Sequence, residues 1–76
     1  MRIYGKKEGE DPTHIATAET AEGAITKIQW AAGEGFREIA LEGDVIAGGK
    51  CFADIKARPC PVAGITAFLQ YLVESA

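Results

Sequence analysis

The segment REIALEGDVIAGGKCFADIKA, from Arg37 to Ala57, constrains the fold more than any other part of this chain. Small and apolar residues alternate with polar ones on both sides of a Gly48–Gly49 pair. An alternation of period two is typical of strands with one buried face, and a glycine pair between two such runs is typical of a tight hairpin turn. The segment therefore predicts two antiparallel strands joined at the glycines.

Two registers are compatible with this hairpin. A two-residue turn would pair Val45 with Phe52 and set the apolar face of one strand against the polar face of the other. A three-residue loop centred on Gly48 gives the matched pairs Val45–Cys51, Gly43–Ala53 and Leu41–Ile55. A slip of one residue turns every side chain to the opposite face, and glycine supplies the positive φ that such loops require. We therefore predict the three-residue loop, with Cys51 on the core face and Phe52 on the open face.

A first amphipathic helix is predicted over residues 20–34. Thr20 can cap its N-terminus with its hydroxyl, and Gly35 can adopt the left-handed conformation that ends a helix. Phe36 is then expected to fold back over Ala31 and Trp30. The predicted apolar face consists of Ala21, Ala24, Ile25, Ile28, Ala31 and Ala32.

A second helix is predicted over residues 61–74, after the segment RPCP has broken the sheet. Pro61 suits the first helical position, because its missing amide has no partner there in any case. The predicted buried stripe consists of Val62, Ile65, Phe68, Leu69, Leu72 and Ala76. The solvent side is expected to carry Thr66, Gln70 and Glu74.

Two further strands, residues 2–7 and 13–18, are predicted around the polar loop EGEDPT. The element order is then ββαββα, and residues 1–76 form a single α+β domain. We expect a two-layer sandwich in which two helices cover one face of an antiparallel-rich four-stranded sheet.

Composition limits the function more weakly than the fold. The net charge of −3 disfavours a dedicated nucleic-acid binder, although it leaves room for a local basic patch. Two cysteines are too few for a disulfide scaffold and suit a reducing cytoplasm. The longest apolar segment is too short to span a bilayer. We expect a cytoplasmic protein, of prokaryotic origin given its compactness, that binds no membrane and no cofactor.

The segment EGFREIALEGD resembles the helix–strand–Asp segment of ribonuclease H-like domains. That resemblance implies that Glu22 and Asp44 serve as metal ligands for phosphoryl chemistry. The family also takes an Asp from its first strand, where this chain reads RIYGKKE, and it has a helix where this chain has a hairpin after Asp44. We therefore predict no metal site and no catalytic set, with Glu22 as a charge at a helix N-terminus and Asp44 as a solvent-facing strand residue.

Residues outside the predicted core form the candidate sites. The interface candidates are Trp30, Phe52, Tyr4 and Ile46. The candidates for contact with a ligand or nucleic acid, on the open sheet face, are Phe52, Lys50, Lys56 and Arg58. Cys60 is a candidate reactive thiol, because it immediately precedes a helix whose amides favour a thiolate.

The function predicted from these features is that of a small non-catalytic interaction module, which associates with itself or docks on a partner protein. The alternative is a domain that binds nucleic acid or a small ligand on the open sheet face around Phe52.

Overall fold

The computed structural model describes residues 1–75 of the 76-residue chain. The elements in chain order are β1 (Arg2–Lys6), β2 (Thr13–Thr17), α1 (Ala21–Gly33), β3 (Glu38–Ala47), β4 (Lys50–Pro61) and α2 (Val62–Ser75). The four strands form one antiparallel sheet in the order β2-β1-β3-β4. The predicted ββαββα order and α+β class are confirmed, and the two N-terminal strands each end one residue earlier than predicted.

Both predicted ends of α1 are present. The Gly23 amide donates to Thr20 Oγ1 at 3.1 Å, which caps the N-terminus. At the other end Gly35 has φ +97°, its amide donates to the Ala32 carbonyl, and the Phe36 amide donates to the Ala31 carbonyl. These two bonds form a Schellman motif, so a left-handed glycine ends the helix as predicted.

The core lies between the helices and one face of the sheet. Its largest fully buried side chains are Ile3, Ile28, Ile39, Leu41, Leu69 and Val45. Ala32 was predicted on this face but is exposed, and it lies in the last turn of α1, one residue before the helix ends at Gly33. In α2, Ile65, Leu69 and Leu72 are buried and Val62 and Phe68 are half-buried, whereas Ala76 of the predicted stripe lies outside the described residues.

The predicted register of the β3–β4 hairpin is wrong. Ala47 pairs with Lys50 across a two-residue Gly48–Gly49 turn, and Val45 pairs with Phe52. Both glycines have positive φ, at +57° and +78°, as a type I′ turn requires. Phe52 therefore packs against the core and Cys51 is exposed, which is the reverse of the prediction.

A two-residue turn sets the apolar face of β3 against the polar face of β4 if the ladder is uninterrupted, and a β-bulge removes this mismatch. The register shifts by one residue between the Val45–Phe52 and Gly43–Ile55 pairs, and Asp54 at the shift has φ +56°. The Asp54 amide donates to Asp44 Oδ1 at 3.0 Å, which holds the extra residue out of the ladder. Because one inserted residue restores the phase of the alternation, Ile55 packs inward as predicted, even though the turn differs.

The segment RPCP does not break the sheet, contrary to the prediction. The strand β4 continues to Pro61, where Glu38 pairs with Pro61 and Ile39 with Cys60 after a second register shift. Proline is compatible with a strand at a sheet edge or a bulge, and β4 provides both. Pro61 thus ends the strand, and α2 begins one residue later, at Val62.

The two helices run antiparallel on the same face of the sheet. Thr20, before α1, bridges to Ile46 near the end of β3, so α1 runs back toward the start of β3. The α2 helix begins at that start, where the Val62 amide donates to the Arg37 carbonyl. The opposite face of the sheet is left uncovered by helices in the described chain.

Candidate interaction surfaces

The four predicted interface residues do not form one patch. Tyr4 is half-buried on the open face opposite Ala40, whereas Ile46 lies six positions further along β3 and is 43% exposed. At about 3.3 Å per residue, that separation is about 20 Å. Phe52 packs against the core, and Trp30 is on α1, on the other side of the sheet. Tyr4, Ile46 and Phe52 therefore do not lie together in one patch on the open face.

Ion pairs link the strands across the open face. Arg2 Nη1 lies 2.9 Å from Glu42 Oε1, and Lys6 Nζ lies 3.5 Å from Glu38 Oε1, both between β1 and β3. The neighbouring Tyr4 hydroxyl, and then Glu42, raise the pKa of the Arg2 guanidinium, so this charge is retained under all ordinary conditions. These exposed pairs contribute little stability, and their effect is to neutralise two of the carboxylates of this face.

A shallow depression of about 330 Å³ lies between β1 and β4 on the open face. Its floor includes Ala40, whose small side chain leaves a gap between the larger residues of the flanking strands. Tyr4 borders the gap on the β1 side, and Lys56 and Arg58 border it on the β4 side. On the far side of Tyr4, the His14 ring lies 5.5 Å away, centroid to centroid, at a tilt of 59°. Lys50, by contrast, is at the hairpin turn and does not line the depression.

The thiols and carboxylates do not converge on a catalytic or metal site. Cys60 is half-buried in β4 and packs on the core, and His14 lies on β2 at the opposite edge of the sheet. Glu22 is exposed in the first turn of α1, and Asp44 accepts the amide bond that supports the bulge. Among residues 1–75 no three side chains of Asp, Glu, His or Cys cluster as metal ligands.

The solvent-facing side of α2 is the least polar exposed surface of the helix layer. Its exposed residues are Ala63, Gly64, Ala67, Gln70, Tyr71, Glu74 and Ser75. The helix contains no Lys or Arg, and Glu74 is its one charged residue. An exposed helix face normally carries charged residues opposite its buried stripe, so a face of this kind is typical of contact with another molecule.

Tyr71 dominates this α2 face and was missed by the sequence analysis. It is 65% exposed, compared with 54% for Trp30. The positions one turn before and after Tyr71 carry one charged residue, Glu74, whereas those around Trp30 carry two, Lys27 and Glu34. The lack of Lys and Arg in Val62–Ser75 is the sequence signal that could have identified Tyr71.

The free edge of β4 is poorly suited to pairing with another strand. The bulge at Asp54 interrupts its ladder near one end, and Pro59 and Pro61 remove amide donors near the other. Bulges, prolines and charged residues are the devices that prevent edge-to-edge association, and Lys56 and Arg58 add the charges. Only a short stretch from Ile55 to Arg58 remains available, so we place any interface of this protein on a face and not on this edge.

Comparison of the chain with protein-family models, with curated proteins and with solved structures finds no match. Within residues 1–75, neither helix has the length and apolar character needed to cross a membrane. The interpretation of function therefore rests on the two surfaces described above, the outer face of α2 and the depression on the open sheet face.

Proposed function

We propose that this protein is a self-associating interaction module that forms a homodimer through the outer face of α2. The single observation that carries the proposal is the exposure of Tyr71 on a helix face without Lys or Arg. Its two cysteines are both free, which supports a role in the cytoplasm.

The α2 face is complementary to itself in an antiparallel arrangement. Ala67 lies at the centre of the exposed stripe, with Tyr71 one turn after it and Ala63 one turn before it. If two copies cross antiparallel at Ala67, the Tyr71 ring of each copy lies over Ala63 and Gly64 of the other. A large side chain then fills the space above small ones, and Gly64 has open space above it in the monomer.

Charge supports the same orientation. Glu74 follows Tyr71 by three residues, so the antiparallel arrangement brings it toward the first turn of α2 in the second copy. Amides at a helix N-terminus carry partial positive charge and favour a nearby carboxylate. A parallel arrangement would instead bring the two Glu74 carboxylates together, which is unfavourable.

The size of the face predicts a weak dimer. If the α2 face makes up about a tenth of the accessible surface of 4539 Å², a dimer buries roughly 450 Å² per copy, compared with about 800 Å² per partner in a stable complex. A contact of one helix against its symmetry mate falls in that lower range. We therefore expect a dissociation constant above about 10 µM, and monomers in dilute solution.

The experiment is sedimentation equilibrium of the wild-type protein and of Tyr71→Ser. A tyrosine buries about 200 Å², so an exposure of 65% leaves about 130 Å² available for burial in an interface. If the dimer covers half of that area, at about 25 cal/mol per Å² the two tyrosines contribute about 3 kcal/mol. The Tyr71→Ser substitution should therefore raise the dimer dissociation constant by roughly 100- to 200-fold.

Two matched controls separate this proposal from its competitors. Trp30→Ser removes the other exposed large aromatic and should leave the dissociation constant unchanged. Ala67→Gln, at the centre of the face, should weaken the dimer, whereas Ala32→Gln, on the exposed side of α1, should not. A wild-type protein that stays monomeric up to about 1 mM, or a dimer lost with Trp30→Ser and kept with Tyr71→Ser, would contradict the proposal.

The predicted alternative is a domain that binds nucleic acid or a small ligand on the open sheet face around Phe52, but Phe52 packs against the core and does not lie on that face. We favour self-association as the main function because cross-strand ion pairs occupy part of the open face, whereas among residues 1–75 no ion pair and no other element covers the outer face of α2.

A further inference from the structure

We propose that the depression around Ala40 on the open sheet face binds a single nucleotide, with the base on Tyr4 and the phosphate on Arg58 and Lys56. This site lies on the side of the sheet opposite to α2, so it does not rest on the proposed dimer. Either proposal can fail without the other.

The ring of Tyr4 forms one wall of the depression. It is half-buried between β2 and β3, with the His14 ring 5.5 Å away on the β2 side. The opposite side of the Tyr4 ring faces the gap above Ala40, the residue that pairs with Tyr4 in the β1–β3 ladder. An aromatic ring in this position offers a planar base a stacking surface, which is sequence-tolerant and contributes about 1–3 kcal/mol per base.

The cations across the gap lack carboxylate partners. The ion pairs among residues 1–75 are Arg2–Glu42 and Lys6–Glu38, and neither includes Lys56 or Arg58. Glu42, the carboxylate that pairs with Lys56 in the β3–β4 ladder, is held by Arg2. Glu42 also lines the depression, but its carboxylate is paired with Arg2, so Lys56 and Arg58 can attract an anion into the space beside the Tyr4 ring. Arg58 can bind a phosphate through two parallel hydrogen bonds.

The dimensions fit one nucleotide. The β1 and β4 backbones are two strand spacings apart, about 10 Å, which is comparable with the length of a nucleoside monophosphate. The volume of about 330 Å³ is at the lower limit of small-molecule sites. A longer strand of nucleic acid that extended along the sheet toward the hairpin turn would meet Asp44 and Asp54, whose carboxylates repel phosphate. The charge pattern therefore favours a single nucleotide over a polymer.

The test is an amide chemical-shift titration of the ¹⁵N-labelled protein at low ionic strength. Adenosine 5′-monophosphate should shift the amides of Tyr4, Ala40 and Arg58, with a dissociation constant of about 1 mM or below. Inorganic phosphate and adenosine should each bind at least tenfold more weakly, because each satisfies only half of the site. A short oligoadenylate should bind no more tightly than the mononucleotide.

Two variants and one control assign the site. Arg58→Gln should weaken nucleotide binding by about fivefold or more, through loss of the charged hydrogen bonds. Tyr4→Leu should weaken it by a similar factor, through loss of stacking. Arg37→Gln removes the same charge from an exposed position outside the depression and should change the affinity by less than about twofold.

The proposal is overturned by any of three results. The first is the absence of shifts at Tyr4, Ala40 and Arg58 up to about 10 mM nucleotide. The second is evidence of non-specific anion binding, either because phosphate alone reproduces the shifts at equal affinity or because Arg37→Gln weakens binding as much as Arg58→Gln. The third is much tighter binding of the oligonucleotide, which would assign the face to single-stranded nucleic acid.

Discussion

Gly5→Ala should destabilise the fold, because Gly5 in β1 has two side chains pressed against it. A Cβ atom there would lie 2.6 Å from Phe36 Cδ1 and 2.7 Å from Ile15 Cδ1, whereas carbon atoms in normal contact are about 3.5–4.0 Å apart. Phe36 cannot retreat easily, since its amide is bonded to the Ala31 carbonyl and Lys7 Nζ lies 5.0 Å from its ring centroid. Overpacking of this kind costs about 1–3 kcal/mol.

The replacement of glycine by alanine also lowers the entropy of the unfolded chain, which offsets about 0.4–1 kcal/mol. Taking the middle of both ranges, the net loss is about 1.3 kcal/mol, and the thermal midpoint should fall by about 5–10 °C. Urea unfolding followed by circular dichroism measures the free energy directly. The matched control is Gly33→Ala at the end of α1, where no atom lies within 4 Å of the added Cβ and the better helix propensity should stabilise by up to about 1 kcal/mol. A Gly5→Ala protein as stable as the wild type would refute the packing described for Phe36 and Ile15.

Three further predictions test the hairpin and the helix cap. In the native protein Cys51 should react with iodoacetamide severalfold faster than Cys60, because Cys51 is exposed and Cys60 is half-buried. Mass spectrometry measures the two rates, and equal protection of the two thiols would favour the three-residue loop instead. Asp54→Gly should stabilise the protein by up to about 0.5 kcal/mol, because a φ of +56° is less strained for glycine and the bond to Asp44 uses only the backbone amide. Asp54→Val should destabilise it, because a β-branched side chain does not tolerate this φ. The reverse order in urea unfolding would show that the bulge is misplaced. Thr20→Ala should cost about 1 kcal/mol through loss of the hydroxyl bond to the Gly23 amide, and Thr20→Ser, which keeps that bond, should cost less than half as much.

The sequence was sufficient for the parts of the fold that depend on local chemistry. Thr20 and Gly35 marked the ends of α1 because capping requires a side-chain acceptor at one end and a left-handed residue at the other. The two hairpins followed from alternation and turn residues. The pairing of β1 with β3, which joins the hairpins into one sheet, involves residues far apart in the chain and left no local signal.

The register of the second hairpin shows why local matching of patterns failed. The prediction assumed an uninterrupted ladder, for which only the three-residue loop sets apolar residues opposite one another. The chain instead combines the favoured two-residue turn with a bulge at Asp54, and a bulge leaves little trace in a sequence when the inserted residue is not glycine. This one inserted residue decided which of Cys51 and Phe52 faces the core.

For the candidate surfaces the sequence supplied the residues but not their neighbours. Lys56 and Arg58 were correctly expected on the open face, yet their proximity to Tyr4 depends on the strand order, which brings β1 and β4 to either side of β3. Tyr71 was missed because its signal is an absence, the lack of Lys and Arg in α2, whereas Trp30 stands out as the single tryptophan of the sequence.

The most direct test of the proposed dimer is an isotope-filtered nuclear Overhauser experiment on a mixture of ¹³C-labelled and unlabelled protein, at a concentration where the dimer is populated. The antiparallel arrangement predicts intermolecular contacts from the Tyr71 ring protons of one copy to the Ala63 methyl and Gly64 α-protons of the other, and between the two Ala67 methyl groups. Intermolecular contacts that involve Trp30, or the open-face residues Tyr4 and Arg58, with none from Tyr71, would contradict the assignment of the interface to α2.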